Sequence, residues 1–295
     1  MNASVVVPAY QEEASIGALL DTLREQETRT HAIGEILVFD DGSTDATAEV
    51  VRGRAQRDRR IRLLCGSPRV GRADACNALF AQALGDATVK FDADVIPRAG
   101  AVDALCDALA RGASMSFGVC EPLSRRRSFV ARGSAHAARI VRMLQRGPRG
   151  ADFAVGRILA LRGDVARSFA VPGDVTNEDH WLSLKVRAGG GIVALAPDAS
   201  CRFFAPDTFD DYRRQSNRVR EGERQLERIA KLVPMSLGDL MPAIARCAIR
   251  DPIGAACWAT IYAASLLTTS RERPVDEIPI RSSKGATEEN AGARS

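Results

Sequence analysis

Aromatic residues make up only 5% of the 295 residues, and histidine occurs three times. So few ring faces argue against a platform for stacking bases. Neither sign of charge dominates: 41 basic against 37 acidic side chains leave +4, and no nucleic-acid partner is expected from so even a balance. Cysteine occurs seven times but never as a Cys-x-x-Cys pair. An odd, dispersed set reads as reduced thiols, not as a disulfide framework or a zinc site. No basic segment followed by a long apolar run opens the sequence, so no secretory signal is expected and the default reading is cytoplasmic. What is present is globular: 45% hydrophobic, 26% charged, mean hydropathy −0.12. That excludes a wholly disordered, fibrous or multi-spanning chain. The length suits one domain with a substantial core.

Four short apolar runs bounded by turn residues read as buried strands: Ser4–Pro8, Glu35–Phe39, Ile61–Cys65 and Ala87–Phe91. Between them lie helical patterns. Ile16, Leu19, Leu20 and Leu23 form one apolar face, and Ala46–Arg57 and Ala73–Leu84 supply two more helices. This rhythm predicts right-handed βαβ units, hence a mostly parallel central sheet with helices on both faces. The pattern continues with a helix at Ala101–Ala110, a strand at Ser114–Val119 and a basic helix within Ser124–Arg146. Strands are then expected at Phe153–Leu161 and Gly191–Ala196, with helices over Asn177–Ala188 and Asp207–Leu232. The organisation expected is one α/β unit over 1–232, divided near residue 100, then a helical C-terminal extension over 233–270. A tail over 271–295, poor in apolar residues, reads as disordered.

In parallel sheets ligands bind beyond the C-terminal strand ends, so those ends hold the candidate chemistry. Pro8-Ala9-Tyr10-Gln11-Glu12 follows the first strand, Asp40-Asp41-Gly42-Ser43-Thr44-Asp45 the second, and Asp92-Ala93-Asp94 the fourth. Ser43 and Asp45 read well as helix caps. Capping does not account for Asp40, Asp41, Asp92 and Asp94 on one edge, where like charges repel unless a cation or donors compensate them. Asp92 and Asp94, two apart, point to the same side of an extended segment. Such hard oxygen donors suit Mg²⁺ or Mn²⁺ held jointly with a diphosphate.

Taken together, these blocks resemble the family 2 inverting glycosyltransferases of the GT-A fold. The likeness rests on VVVPAYQEEASIGALLDTL, EILVFDDGSTDATAEV, RVGRADACNALF, TVKFDADV, TNEDHWL and RRQSNRVREG, in family order from about residue 4 to 220. It implies a single GT-A-type unit and a metal-dependent, inverting hexosyl or related transfer from a nucleotide diphosphate sugar, UDP-linked in most members, to an acceptor hydroxyl. Pro8, Ala9, Tyr10, Glu12 and Asp41 match the segments that line the base and ribose. Gly71 and Arg72 match a Gly-Lys segment on the diphosphate side. Arginine there keeps the charge but presents a fork instead of a point. Asp92 corresponds to the residue near the ribose and Asp94 to the metal ligand. Asp179 corresponds to the general base that removes the acceptor proton. Glu178, His180, Gln215 and Arg218 fall at acceptor or diphosphate positions. Many processive members place Trp where this chain has Val219, which weakens a polymer-synthase reading.

Two other classes are weighed. A sugar-nucleotide pyrophosphorylase would need a Gly-rich basic loop after the first strand, where this chain has Pro-Ala-Tyr-Gln-Glu. A non-catalytic sugar-nucleotide-binding protein has no need of both Asp94 and Asp179. The uncharged stretch Pro252–Ser270 lies between Arg246 and Arg250 on one side and Arg271 and Arg273 on the other. Buried, interfacial and membrane-spanning readings of it all stay open. Peripheral contact through 246–273 with the inner face of a membrane, and a lipid-linked acceptor, are compatible with this basic region.

Overall fold

Alternating strands and helices run through the first third of the computed structural model, which describes residues 1–268 except 27, 155 and 231–235. The chain order begins β1 (Asn2–Ala9), α1 (Ile16–Arg24), β2 (Ala32–Asp40), α2 (Thr47–Ala55), β3 (Ile61–Cys65), α3 (Arg72–Gln82) and β4 (Ala87–Phe91). It continues through β5 (Val95–Pro97), α4 (Ala101–Ala110), β6 (Met115–Leu123), α5 (Phe129–Gln145), β7 (Ile158–Arg162), α6 (Gly163–Ser168) and α7 (Glu178–Ala188). The last elements are β8 (Val193–Phe204), α8 (Phe209–Ala230), α9 (Leu237–Arg250) and α10 (Pro252–Leu267). The expected tail at 271–295 lies outside the described residues.

The strands form one eight-stranded sheet in the order β3-β2-β1-β4-β7-β6-β8-β5. Pairings among β1 to β4 are parallel, as is β6 with β8; β7 runs antiparallel to both β4 and β6, and β5 antiparallel to β8. Side chains alternate across the sheet. Val5 and Val7 pack on one face with Leu19, Leu20 and Leu105, whereas Val6 packs on the other with Leu79, Phe80 and Trp181. On α1, Ile16, Leu19, Leu20 and Leu23 are all fully buried at helical spacing. Each such side chain contributes roughly 1.5–3 kcal/mol. Strand order reverses at β1: β2 and β3 lie to one side and β4 to the other. Pairing of β1 with β4 stops at Val6 and Lys90. The strand ends therefore diverge beyond that point and leave a crevice at the switch of topology.

Four segments depart from the sequence reading. The strand expected over Phe153–Leu161 shortens to β7, and Gly150–Phe153 instead curls into a 3-10 turn. There Gln145 Nε2 donates to the Phe153 carbonyl at 3.0 Å, and Asp152 is held by Arg149 and Arg187. The strand expected at Gly191–Ala196 runs on to Phe204, because a bulge between the Phe117–Leu195 and Val119–Ser200 pairs absorbs Pro197. α5 starts only at Phe129, where the Ser128 hydroxyl accepts from Ala131 N–H at 3.0 Å. At three residues, β5 is too short for periodicity to reveal.

The C-terminal extension is helical, as expected. Pro252 sits in the first turn of α10 and Asp251 caps it. Gly254, Cys257, Ile261 and Ser265 form one buried stripe on α10. No helix among the described residues is long and apolar enough to cross a membrane, so the spanning reading of 252–270 is withdrawn. All seven cysteines are free, and all but Cys65 are buried.

Candidate active site

The loops after β1 and β2 are latched to each other before any ligand is considered. Gln11 adopts φ 55°, its N–H donates to Ser43 Oγ at 2.9 Å, and its amide side chain bridges Thr44 and Asp45. Glu12 N–H donates to Thr47 Oγ1 at 2.8 Å, and the Glu12 carboxylate accepts from Ser15 Oγ. Ser43 and Asp45 thus fasten the two loops together instead of capping α2, whose N-cap is Ala46 with no side-chain cap hydrogen bond. Pro8 and Ala9 close β1 beside Phe39 and Asp40. The Arg69 guanidinium lies 3.9 Å over the Tyr10 ring.

Asp41 is buried and spends its carboxylate on the segment that leads into α3. It accepts from Val70 N–H at 2.7 Å, from Gly71 N–H at 3.1 and 3.2 Å, and from Arg69 Nε at 3.4 Å. Gly71 has φ +93°, a conformation closed to most other residues, and it delivers Arg72 to the first turn of α3. The β2 aspartate therefore sets where Arg72 stands.

Arg72 is the hub. Its Nε donates to Glu178 Oε1 at 2.7 Å and its Nη2 to Asp92 Oδ1 at 2.5 Å. Lys90, fully buried on β4, reaches the same two oxygens at 3.1 Å each and the Gly156 carbonyl at 2.8 Å. Alternation explains its position: Val89 and Phe91 face the α1 side, so Lys90 faces α3 and α7. A buried ammonium is tolerated only when paired and hydrogen-bonded, and here it is both. Burial works against charge on Asp92, but Arg72 and Lys90 outweigh it and hold the carboxyl well below its usual range. The same contest keeps Glu178 low. Burial pushes the neighbouring Cys76 thiol up to about 12.

Asp179 behaves in the opposite sense. Burial first, and the adjacent Glu178 charge second, raise it above the ordinary carboxylate value. Gly156 N–H donates to Asp179 Oδ2 at 2.5 Å and His180 N–H to Oδ1 at 2.8 Å. A Cβ on Gly156 would stand 2.5 Å from Asp179 Oδ2, so glycine is required for this approach. His180 turns away from that carboxylate: its Nδ1 meets Glu223 Oε1 on α8 at 3.0 Å. This ties α7 to α8. Arg218 on α8 comes within electrostatic reach of Arg72, Glu178, Arg157 and Asp92, and burial followed by repulsion from Arg72 lowers its pKa. Gln215 lies one turn earlier on the same helix. Arg157 stacks on Phe203 at 3.9 Å, and neither it nor Arg218 has an ion pair among the described residues.

Tyr10, Asp41, Gly71, Arg72, Asp92, Glu178, Asp179 and Arg218 thus form one connected site. Sequence reasoning missed Lys90, Gly156 and Arg157. The lysine inside the otherwise apolar Ala87–Phe91 was a usable signal, since a buried lysine needs partners. Gly156 and Arg157 carried none. For a metal, the donor chemistry fits in part. Asp94 is half-buried with no hydrogen bond or ion pair among the described residues, and Asp92 commits only Oδ1. No cluster of three or more His, Cys, Asp or Glu among the described residues surrounds an ion position. Mg²⁺ or Mn²⁺ held by one or two carboxylates would complete its shell from waters and phosphate oxygens.

Comparison with known proteins agrees with this architecture. The mannosyltransferase PcManGT of Pyrobaculum calidifontis, solved with GDP-Man and Mn²⁺, superposes with a TM-score of 0.60 at 22% identity, covering 91% of this chain and 76% of its own. Glucosyl-3-phosphoglycerate synthase of Mycobacterium tuberculosis, solved with Mn²⁺, UDP and glucosyl-3-phosphoglycerate, gives 0.52 at 21% identity, covering 80% of this chain and 81% of its own. The fold is that of the GT-A glycosyltransferases. The chain belongs to glycosyl transferase family 2, whose family model matches residues 4–162. Among curated relatives, an undecaprenyl-phosphate 4-deoxy-4-formamido-L-arabinose transferase of Pseudomonas paraeruginosa is 38% identical over 96 residues. That match spans 31% of this chain and only 27% of the relative.

Proposed function

We propose that the protein is a metal-dependent inverting glycosyltransferase. It moves a sugar from a nucleotide diphosphate sugar, a UDP-sugar in the first instance, to an acceptor hydroxyl, with Asp179 as general base. One observation carries this reading. Beside a cluster of two cations and two carboxylates that compensate one another, a single carboxylate, Asp179, has its pKa raised and its orientation set by two backbone N–H groups. A raised carboxylate is a better proton acceptor near neutral pH.

The division of labour follows from the charges. Tyr10, with Arg69 stacked on it, offers a flat face for the base. Arg72, Arg157 and Arg218 offer guanidinium forks to the diphosphate, whose negative charge grows as the glycosidic bond breaks. Asp94, with the free oxygen of Asp92, would hold Mg²⁺ or Mn²⁺, which supplies Lewis-acid stabilisation of the leaving diphosphate. Asp179 takes the proton from the acceptor hydroxyl on the face opposite the leaving group, and inversion follows from that in-line attack.

The relative's name supports a lipid-linked acceptor, and it favours a second reading in which a lipid phosphate oxygen attacks. Such an oxygen is already anionic at neutral pH and needs no base. Calorimetric titration with UDP, GDP, dTDP and CDP, each in Mn²⁺ and in EDTA, tests the donor side. Binding of one nucleotide that collapses on chelation is expected; no metal-dependent binding to any of them sinks the metal-dependent mechanism. Binding without transfer to any hydroxyl or phosphate acceptor would leave a sugar-nucleotide-binding protein.

A further inference from the structure

Away from the donor crevice, α5, the β6–β8 pair and the α9–α10 junction enclose a cavity of about 880 Å³. Six arginines and two carboxylates line it. Glu121 meets Arg98 at 2.6 Å. Asp251 meets both Arg132 at 2.9 Å and Arg139 at 2.5 Å. Arg142, Arg146 and Arg250 line the same cavity, and none of the three has an ion pair among the described residues. The lining therefore carries four net positive charges. α5 contributes three of the arginines and its C-cap residue Arg146 a fourth, spaced seven, three and four residues apart and so on one side of the helix.

Like charges gathered this closely repel, and burial adds to the cost of holding them. Burial, followed by Arg139 and Arg146, outweighs Glu121 and lowers the pKa of Arg142. An anion relieves that cost, and guanidinium forks match phosphate in shape as well as in charge. The cavity has room for a phosphorylated headgroup with its waters. Its rim adds a second property. Ile249 is 82% exposed and Ile253 61% exposed, and both lie within two residues of the lining residues Arg250 and Asp251. Exposed aliphatic side chains beside a cationic pocket suit a lipid surface better than a soluble phosphate.

We propose that this arginine cavity is a second anion site, taking the phosphate headgroup of an anionic phospholipid and seating the chain on a membrane surface through Ile249 and Ile253. None of its lining residues belongs to the donor crevice, so the proposal stands apart from the transferase reading.

The test is co-sedimentation of the full chain with vesicles of phosphatidylcholine alone and of phosphatidylcholine with phosphatidylglycerol, without sugar donor. Binding is expected only to the anionic vesicles and should weaken as salt is raised. The double variant Arg146→Gln/Arg250→Gln should bind them about thirtyfold more weakly with an unchanged unfolding midpoint, since both side chains are exposed. Ile249→Asp should weaken binding as well. Equal binding to both vesicle types, binding to neither, or undiminished binding of the double variant overturns the proposal. Stabilisation by inorganic phosphate through the same arginines, with no vesicle binding, also overturns it and assigns a soluble phosphorylated ligand. In each of these cases nucleotide binding at the donor crevice is unaffected.

Discussion

The donor crevice and the arginine cavity both gather cations, and the fold treats them in opposite ways. In the crevice, Arg72 and Lys90 meet Asp92 and Glu178 within 3.1 Å, and Lys90 is fully buried. In the cavity, Asp251 is shared by two arginines and three others go without a carboxylate. Arg157 and Arg218 beside the crevice have no ion pair among the described residues either, so the contrast lies between the fully buried Lys90 with its cluster and the more exposed cations. A charge removed from water has to be compensated within the protein itself, whereas a half-exposed guanidinium stays hydrated and remains available to a partner from outside. Compensated cations shape a site in advance of its ligand; uncompensated ones are the attraction.

Substitutions sharpen the contrast, beginning with the largest effect. Asp179→Asn should lower kcat about 10²–10⁴-fold while nucleotide affinity by calorimetry stays nearly constant; undiminished turnover would favour the phosphate-acceptor reading. Lys90→Met removes one of the two cations from the buried cluster. It should cost about 3–5 kcal/mol in urea unfolding, because Asp92 and Glu178 then share Arg72 alone. Asp41→Asn weakens the hold on Val70 and Gly71, for about 1–3 kcal/mol, with poorer nucleotide binding because Arg72 loses its seat. Arg146→Gln/Arg250→Gln should move stability by no more than about 0.5 kcal/mol, the counterpart of the Lys90 result. A loss there as large as that of Lys90→Met would erase the distinction drawn between the two regions.

Two histidines give the comparison a pH axis. Burial disfavours the His180 imidazolium, but Glu223 and the nearby aspartates outweigh it, so its pKa is raised. The stability it contributes is present below its unfolded value of about 6.5 and is lost as pH rises through the higher folded value. His136 stacks on Trp258 at 6.1 Å, and burial lowers its pKa. Its contribution is present above about 6.5 and is lost as pH falls through the lower folded value. Urea unfolding across that interval should show Glu223→Gln removing the first dependence and leaving the second.

Much of the first hundred residues was legible in the sequence, and the reason is local. Val5, Val6 and Val7, bounded by turn residues and followed by Ile16, Leu19, Leu20 and Leu23, state strand and helix within one short window. Motif residues of such units sit at strand ends by construction, so Asp41, Asp92 and Asp94 were found before their partners were known. The second half reads less well. The β6–β8 bulge hides Pro197 inside a strand, and even within the first hundred residues β5 is shorter than any period.

Local order along the chain determined the strand–helix rhythm, the two faces of the sheet and the candidate residues at its edge, since backbone propensity and side-chain alternation act between near neighbours. The tertiary structure alone decided which charges meet. Arg72 and Glu178 are 106 residues apart, Lys90 becomes a site residue only because α7 packs over it, and Arg142 and Arg250 share a cavity only because α9 and α10 dock on α5. Electrostatic pairing depends on distance in space and on burial, and neither quantity is written in the order of residues.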